Sequence, residues 1–428
     1  MRRAAGSRRS EPRQVTQASR LLGACALLVA VTSVALLVVG LLPPPTGGSA
    51  TLPPERLREA LTFDADLLAD IDAYRGPRRV AAFAALVLAV MVPAGLSLAL
   101  WSGRARRVLR RVASLPGVEL QVAAAVTLVV LLTAFARLPI SIWSGIVQDA
   151  RFGFRTRSVP GWFLDHAVVG GGRALAIGAL TGAGVALVQR HPRDWPARVT
   201  LLAAGAGLAG LLLHPVLVHP LLLPTGPLPD GPHRDAVVAV LARSDVDVPV
   251  LLGEASRRTT RRNAVATGLG PTERVVLHDT LLELAPGEVA ALTAHELAHL
   301  ERRDPLRGVL APVPLVALVA VLVRRRLRAH GPPDVRRLAA AGAAVLAREA
   351  ALTPVVAAVS RTVEHRTDVR SVAISTDPEA HLGVLRAFVT DGLADPDPPR
   401  WSVLLWATHP TPTERMAAVS GSSDLAMR

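Results

Sequence analysis

Seven apolar stretches, at 21–42, 80–102, 119–141, 168–189, 199–222, 308–323 and 338–360, set the terms on which this chain of 428 residues can fold. About 20 apolar residues in a helix cross the hydrocarbon of a bilayer, where the backbone must satisfy its own hydrogen bonds. The pattern therefore predicts a multi-pass helical membrane protein. Its weakest members are 308–323, with 16 uncharged residues, 168–189, which contains Arg173, and 338–360, which contains Arg348 and Glu349. The first run has 22 uncharged residues and no clear small-residue cleavage site, so it reads as a retained anchor, not a removed signal peptide.

Composition narrows the function. Half the residues are hydrophobic but only 3% are aromatic, and 19% are charged, below the roughly 25% usual in soluble domains. All 48 cationic residues are arginine, against 34 acids, for a formal charge of +14. Without lysine there is no Schiff-base chemistry and no lysine-centred phosphate loop. The arginine excess suits anionic lipid headgroups, while the scarcity of aromatic rings argues against base stacking and hence against a nucleic-acid partner. Cys25, the single cysteine, excludes an intrachain disulfide and a multi-cysteine metal site. It is expected to be a buried structural residue: LLGAC at 21–25 opens its apolar run, whereas a lipoprotein cleavage box follows one.

The chain divides into a basic arm (1–20, with six arginines), membrane helices 1–5 and their loops (21–222), a polar segment (223–307), helices 6–7 (308–360) and a C-terminal part (361–428). No internal repeat is visible. After PTGPLPDGPHRD, the polar segment has three short strand-like runs, VPVLL at 248–252, NAVATG at 263–268 and RVVL at 274–277. A helix is predicted from Pro286 to just before Asp304–Pro305, and another over SRTVEHRTDVRSVA. The expected soluble part is small and α+β.

HELAHL at 295–300 carries the chemistry. Histidines four apart share a helical face, so His295 and His299 can reach one metal, and Glu296 stands beside the first ligand, free to act as a base. SRTVEHRTD supplies a third ligand, Glu364, and one turn later Asp368, suited to hold the outer nitrogen of a ligating histidine. The donor set suits one Zn²⁺. Taken singly, these residues also fit exposed histidines and an acid pair among Arg361, Arg366 and Arg370. Arg257, Arg258, Arg261 and Arg262 read as a solvated face, or otherwise as a site for acidic substrates or lipid headgroups.

HELAHLERRD, two membrane segments and then SRTVEHRTD resemble the integral-membrane zinc metallopeptidases of the type I CAAX prenyl protease family. LPISIWSGIVQDARFGFRTRSVPGWFLD at 138–165, HPVLVHPLLLPTGPLPDG at 214–231, SRRTTRRNAVATGLGPTERVVLHDTLLE at 256–283 and THPTPTERM at 408–416 extend the resemblance over about 50–420. It implies a mainly α protein, a seven-helix transmembrane bundle enclosing a chamber with a small α+β zinc metallopeptidase domain facing it. It implies that His409 and Arg415 line the active site, where they are suited to stabilise an oxyanion, and that Asn263 and Ala264 lie on an edge strand that pairs with substrate. Val265 departs from the family, which has an aromatic residue there, and Asp149 stands where the family has glutamate.

The expected function is zinc-dependent hydrolysis of peptide bonds in peptide or membrane-associated protein substrates at the cell membrane. One rival is a non-catalytic zinc-containing binding protein or transporter, against which Glu296 speaks. The other is a protease with its motif inside a membrane helix, against which the charges from Glu288 to Asp304 speak. Topology divides the indications. Arginines concentrate at 1–20, 104–111, 190–198 and 324–337, on one side if seven helices alternate, which puts the catalytic segment outside, whereas the resemblance favours a cytosolic catalytic face. Oligomeric state and physiological substrate are not readable from the chain.

Overall fold

A computed structural model describes residues 52–101, 112, 114–330 and 351–421. Among them, five helices are long and apolar enough to cross a membrane: Ala65–Leu96, Val118–Arg151, Val159–Arg190, Trp195–Leu222 and Asp304–Arg325. They correspond to the five stretches expected between 80 and 323. The expected span at 21–42, and 338–350 of the seventh, lie outside the described residues, so five spans stand against seven expected.

A short helix, α1 (Pro54–Ala60), precedes α2 (Ala65–Trp101), α3 (Val118–Ile142), α4 (Val159–Arg190) and α5 (Trp195–Leu213). The helix α2 starts 15 residues before its apolar stretch because its first turns serve the soluble part, where Ile71 and Tyr74 are buried. The apolar stretch at 168–189 carries the sequence Gly178-Ala-Leu-Thr-Gly182, and these two glycines bring α4 against α3. A Cβ on Gly182 would stand 2.8 Å from the Glu119 carbonyl oxygen and 2.9 Å from Ala123 Cβ, and one on Gly178 would stand 2.7 Å from the Ala123 carbonyl oxygen. Small residues four apart permit this approach, since lipid provides no hydrophobic drive between helices. Both α3 and α5 run on through π turns, Trp143–Gln148 and His214–Val218.

The soluble part follows as β1 (Thr225–Pro227), α6 (Pro232–Leu241), β2 (Val250–Gly253), β3 (Ala264–Thr267), β4 (Arg274–His278) and α7 (Pro286–Glu301). The sheet order is β1-β2-β4-β3, with β2 parallel to β4 and the other pairs antiparallel. The three expected strands form. Thr225–Pro227 is an addition that Pro and Gly disguise as a turn, and its proline is tolerable because β1 is an edge. Pro286 opens α7 as expected, and Glu288 Oε2 accepts from the Ala285 N–H at 2.9 Å, satisfying one of the donors that a helix start leaves bare. Val289 to Ala298 are all buried between the sheet and the neighbouring helices. Arg303, with φ of 55°, breaks the chain direction before α8 (Asp304–Leu310) and α9 (Val313–His330).

The remaining helices are α10 (Thr353–Ser375), α11 (Pro378–Thr390), α12 (Arg400–Trp406) and α13 (Pro412–Val419). The expected division at 360 falls inside α10, which runs unbroken into the site. A second core joins Leu57 and Ile71 to Val372, Leu385 and Met416, fixing the N-terminal end of α2 to α10, α11 and α13.

Candidate active site

His295, Glu296 and His299 lie on α7, where their four-residue spacing puts both imidazoles on one face, with ring centroids 4.8 Å apart. From α10, Glu364 meets both: its Oε2 is 3.2 Å from His295 Nε2 and its Oε1 is 3.6 Å from His299 Nε2. Ligand atoms of the three residues fall within 4.8 Å of one another. The Oε2 atom of Glu364 is buried without a hydrogen-bond partner, an arrangement that costs free energy unless something positive occupies the space it faces. Two imidazoles and one such carboxylate fit a metal ion, and the donor types are those zinc takes.

The outer nitrogens each face a carboxylate. His295 Nδ1 is 3.0 Å from Asp368 Oδ1, and Asp368 in turn accepts from Arg415 Nε at 2.9 Å and Nη2 at 2.7 Å. His299 Nδ1 is 3.0 Å from Asp304 Oδ2, an acid that the sequence marks as a helix end and a polar flank but not as a partner of the histidine. Its available signal was its position, five residues past His299 and just beyond the turn at Arg303. Arg307 Nη1 donates to Asp304 Oδ1 at 3.2 Å.

Burial alone would raise the Glu364 and Asp368 carboxyls. Contacts with His295 and His299 hold Glu364 well below the usual carboxylate range instead, and the charge of Arg415, with His295, does the same for Asp368. Burial would likewise lower His299, but Asp304 and Glu364 outweigh it and raise its pKa to about 10.

Glu296 is fixed by the sheet. The Ala266 N–H donates to its Oε2 at 2.6 Å. Because His278 N–H pairs with the Asn263 carbonyl, antiparallel alternation turns Ala264 and Ala266 to the open edge of β3. Asn263 and Ala264 line a cavity of about 1970 Å³ with His295, Glu296, His299, Glu364, His409 and Arg415. Apolar side chains of α4, α5, α9 and α10 form much of the remaining wall, and Asp368 lies outside the lining, behind His295. His409 Nε2 is 3.5 Å from Glu364 Oε2. Val265 packs beside Val276 and Ala255.

The loop before β3 is stapled to the membrane helices. Arg261 reaches Asp149 at 3.0 Å, which also accepts from Tyr74 at 2.6 Å and Arg78 at 2.9 Å, while Arg258 reaches Asp165 at 2.5 Å. Arg257 pairs with Glu254 at 2.9 Å, and Arg262 with Glu283 at 3.0 Å and with Asp391. Each of the four arginines has a carboxylate of the same chain; Arg257 stays exposed to solvent, while Arg261 and Arg262 also line the cavity beside Asn263.

A helix that offers two metal donors, a third donor on a second helix, and apolar helices long enough to cross a membrane in the cavity wall together fit one class, the membrane-embedded metallopeptidases. Residues 233–423 match the family model described as Peptidase family M48, and residues 79–223 match the one described as CAAX prenyl protease N-terminal, five membrane helices. The two matches together make the chain a membrane metalloprotease of this family, whose members hydrolyse peptide bonds. A Bacillus subtilis (strain 168) protein described as uncharacterized metalloprotease YhfN is 24% identical over 321 residues, 71% of this chain and 74% of the relative. The crystal structure of S. mikatae Ste24p has the same fold, with a TM-score of 0.60 at 18% identity, covering 92% of this chain and 98% of that one.

Proposed function

We propose that this chain is a zinc-dependent endopeptidase of the cell membrane that carries one zinc and cleaves extended segments of peptides or membrane-associated proteins. His295, His299 and Glu364 hold the ion, which when bound polarises the scissile carbonyl and acidifies a water. Asp368 and Asp304 fix the two imidazoles through their outer nitrogens. The substrate backbone pairs with the open edge of β3 at Ala264, as a strand added to the sheet, while Asn263, whose carbonyl pairs with His278, meets it through its side chain. Glu296, anchored through Oε2, takes the proton of the attacking water through Oε1 and delivers it to the leaving amine. His409 donates to the developing oxyanion. Arg415, with two of its nitrogens held by Asp368, contributes its charge.

The observation that carries this reading is the Glu296 anchor. It holds a carboxylate beside the ligands and on the strand where substrate would lie, which a zinc-carrying binding protein or transporter does not require. Glu296→Gln should keep its zinc and its fold, because the amide oxygen can still accept from Ala266, yet lose roughly 10²- to 10⁴-fold in turnover. The measurement is metal analysis beside cleavage of an unstructured casein-like peptide pool, with chelation and zinc restoration as controls. Undiminished cleavage would remove Glu296 from the mechanism.

A further inference from the structure

The segment joining α11 to α12 descends one stripe of the membrane helix α2. Arg75 donates through Nε to the Leu393 carbonyl at 2.6 Å and through Nη2 to that of Gly392 at 3.2 Å. One turn on, Arg79 Nη1 donates to Asp395 at 2.5 Å. One turn further, Phe83 meets Trp401 edge to face, with centroids 6.3 Å apart. Positions 75, 79 and 83 are successive rungs of one helical face, and eight residues of helix advance about 12 Å. The chain thus passes from a polar level of α2, past its last arginine, to a level where α2 is wholly apolar.

At that level α2 presents Val80, Phe83, Val87 and Met91 outward, and α12 continues the same surface. Trp401 is 44% exposed and Leu404, one turn later, 61%. Trp401 also packs edge to face on Trp406, at 5.4 Å. Tryptophan concentrates at the boundary between headgroups and hydrocarbon, and a helix with one apolar face beside a spanning helix lies in that plane. The geometry points to α12 as an in-plane bilayer anchor: Trp401 sits at headgroup level beside Phe83, and Leu404 faces the acyl chains. The occupant is lipid, because the patch is continuous with the outward face of a spanning helix. From this anchor the chain returns straight to the site. Arg361 of α10 donates to the Val403 and Ala407 carbonyls at 2.8 and 2.7 Å, and His409 follows two residues later. Lipid contact at α12 does not depend on hydrolytic activity.

The test uses full-length protein in nanodiscs, with Cys25→Ser and a spin label at Leu404→Cys. Met91→Cys serves as the lipid-facing control and Asp230→Cys as the water-facing one. Collision with oxygen, which partitions into lipid, should exceed collision with a water-soluble nickel chelate at 404, as at 91. A label at 404 that behaves like the one at 230 overturns the proposal, and so does one shielded from both reagents, which would place a protein partner there. Should the label disturb folding, Trp401→Phe provides a second reading: it should reduce the share of tryptophan emission quenched by brominated lipid, and an unchanged share counts against the anchor.

Discussion

Asp368 and Arg415 form a pair whose removal from either side should unfold more than the site. The Asp368 side chain is 2% exposed and that of Arg415 is 12%, and two hydrogen bonds join them. Truncating one partner leaves the other as an uncompensated buried charge, at about 3 to 5 kcal/mol, whereas removing both leaves no orphan. Arg415→Met and Asp368→Ala should each destabilise by about that amount, and the double variant by little more than either alone, a coupling of about 2.5 to 4.5 kcal/mol. Asp368→Ala should also weaken zinc binding by about 10- to 100-fold, because His295 Nδ1 loses its partner. The oxyanion role read from the sequence predicts that Arg415→Ala loses turnover at normal zinc content, while the clamp on Asp368 predicts that zinc content falls too. Denaturant unfolding in detergent micelles, followed by tryptophan fluorescence with and without zinc, measures the cycle. Effects that add to within about 0.5 kcal/mol would show that the two residues act independently and refute the reasoning.

Zinc uptake should expel protons. With His299 raised to about 10 in the metal-free site, apparent affinity should climb with pH towards that value, and titration calorimetry at pH 8 in buffers of different ionisation enthalpy should register at least one proton released. The same raised pKa means that the His299 pairs stabilise the metal-free protein fully below about pH 6.5 and lose that contribution as pH rises through about 10, which thermal unfolding of chelated protein would track. Glu364→Ala should abolish stoichiometric zinc, while Asp304→Ala should only weaken it, by about 10- to 100-fold; equal loss in both would make Asp304 a ligand in effect. Reporter fusions after Asp230 and at Arg428 should give an external signal if arginine placement governs topology, and a cytoplasmic signal from both defeats that reading.

The candidate site was legible because its spacing is local: His295, Glu296 and His299 need only a helix, and Pro286 announces one. Glu364 and Asp368 could be paired with them because four residues is one turn. Asp304 was missed since its role depends on the sharp turn at Arg303, which brings the start of α8 back against α7, a reversal that no periodicity reveals. Arg415 was placed near the site, but its grip on Asp368 required knowing how α13 docks on α10. The arginines at 257–262 were legible only as a run of like charges: the exposure of Arg257 follows from that, but the partners of Arg258, Arg261 and Arg262, which are Asp165, Asp149 and Asp391, come from distant parts of the chain. Spans were legible as lengths of apolar sequence, while the start of α2 at Ala65 was not, because those turns are held by packing against α11 and α13 and their composition is ordinary.

The glycines at 178 and 182 make one wall of the cavity mechanically stiff. Only the small side chains of Ala123 and Thr127 stand between the two backbones, so α3 and α4 have little to compress and pack as one thin, close pair. Breathing that admits a bulkier guest then falls to the other walls, α5, α9 and α10, and α10 carries Glu364. Where α10 gives way, the width of the guest and the position of Glu364 change together.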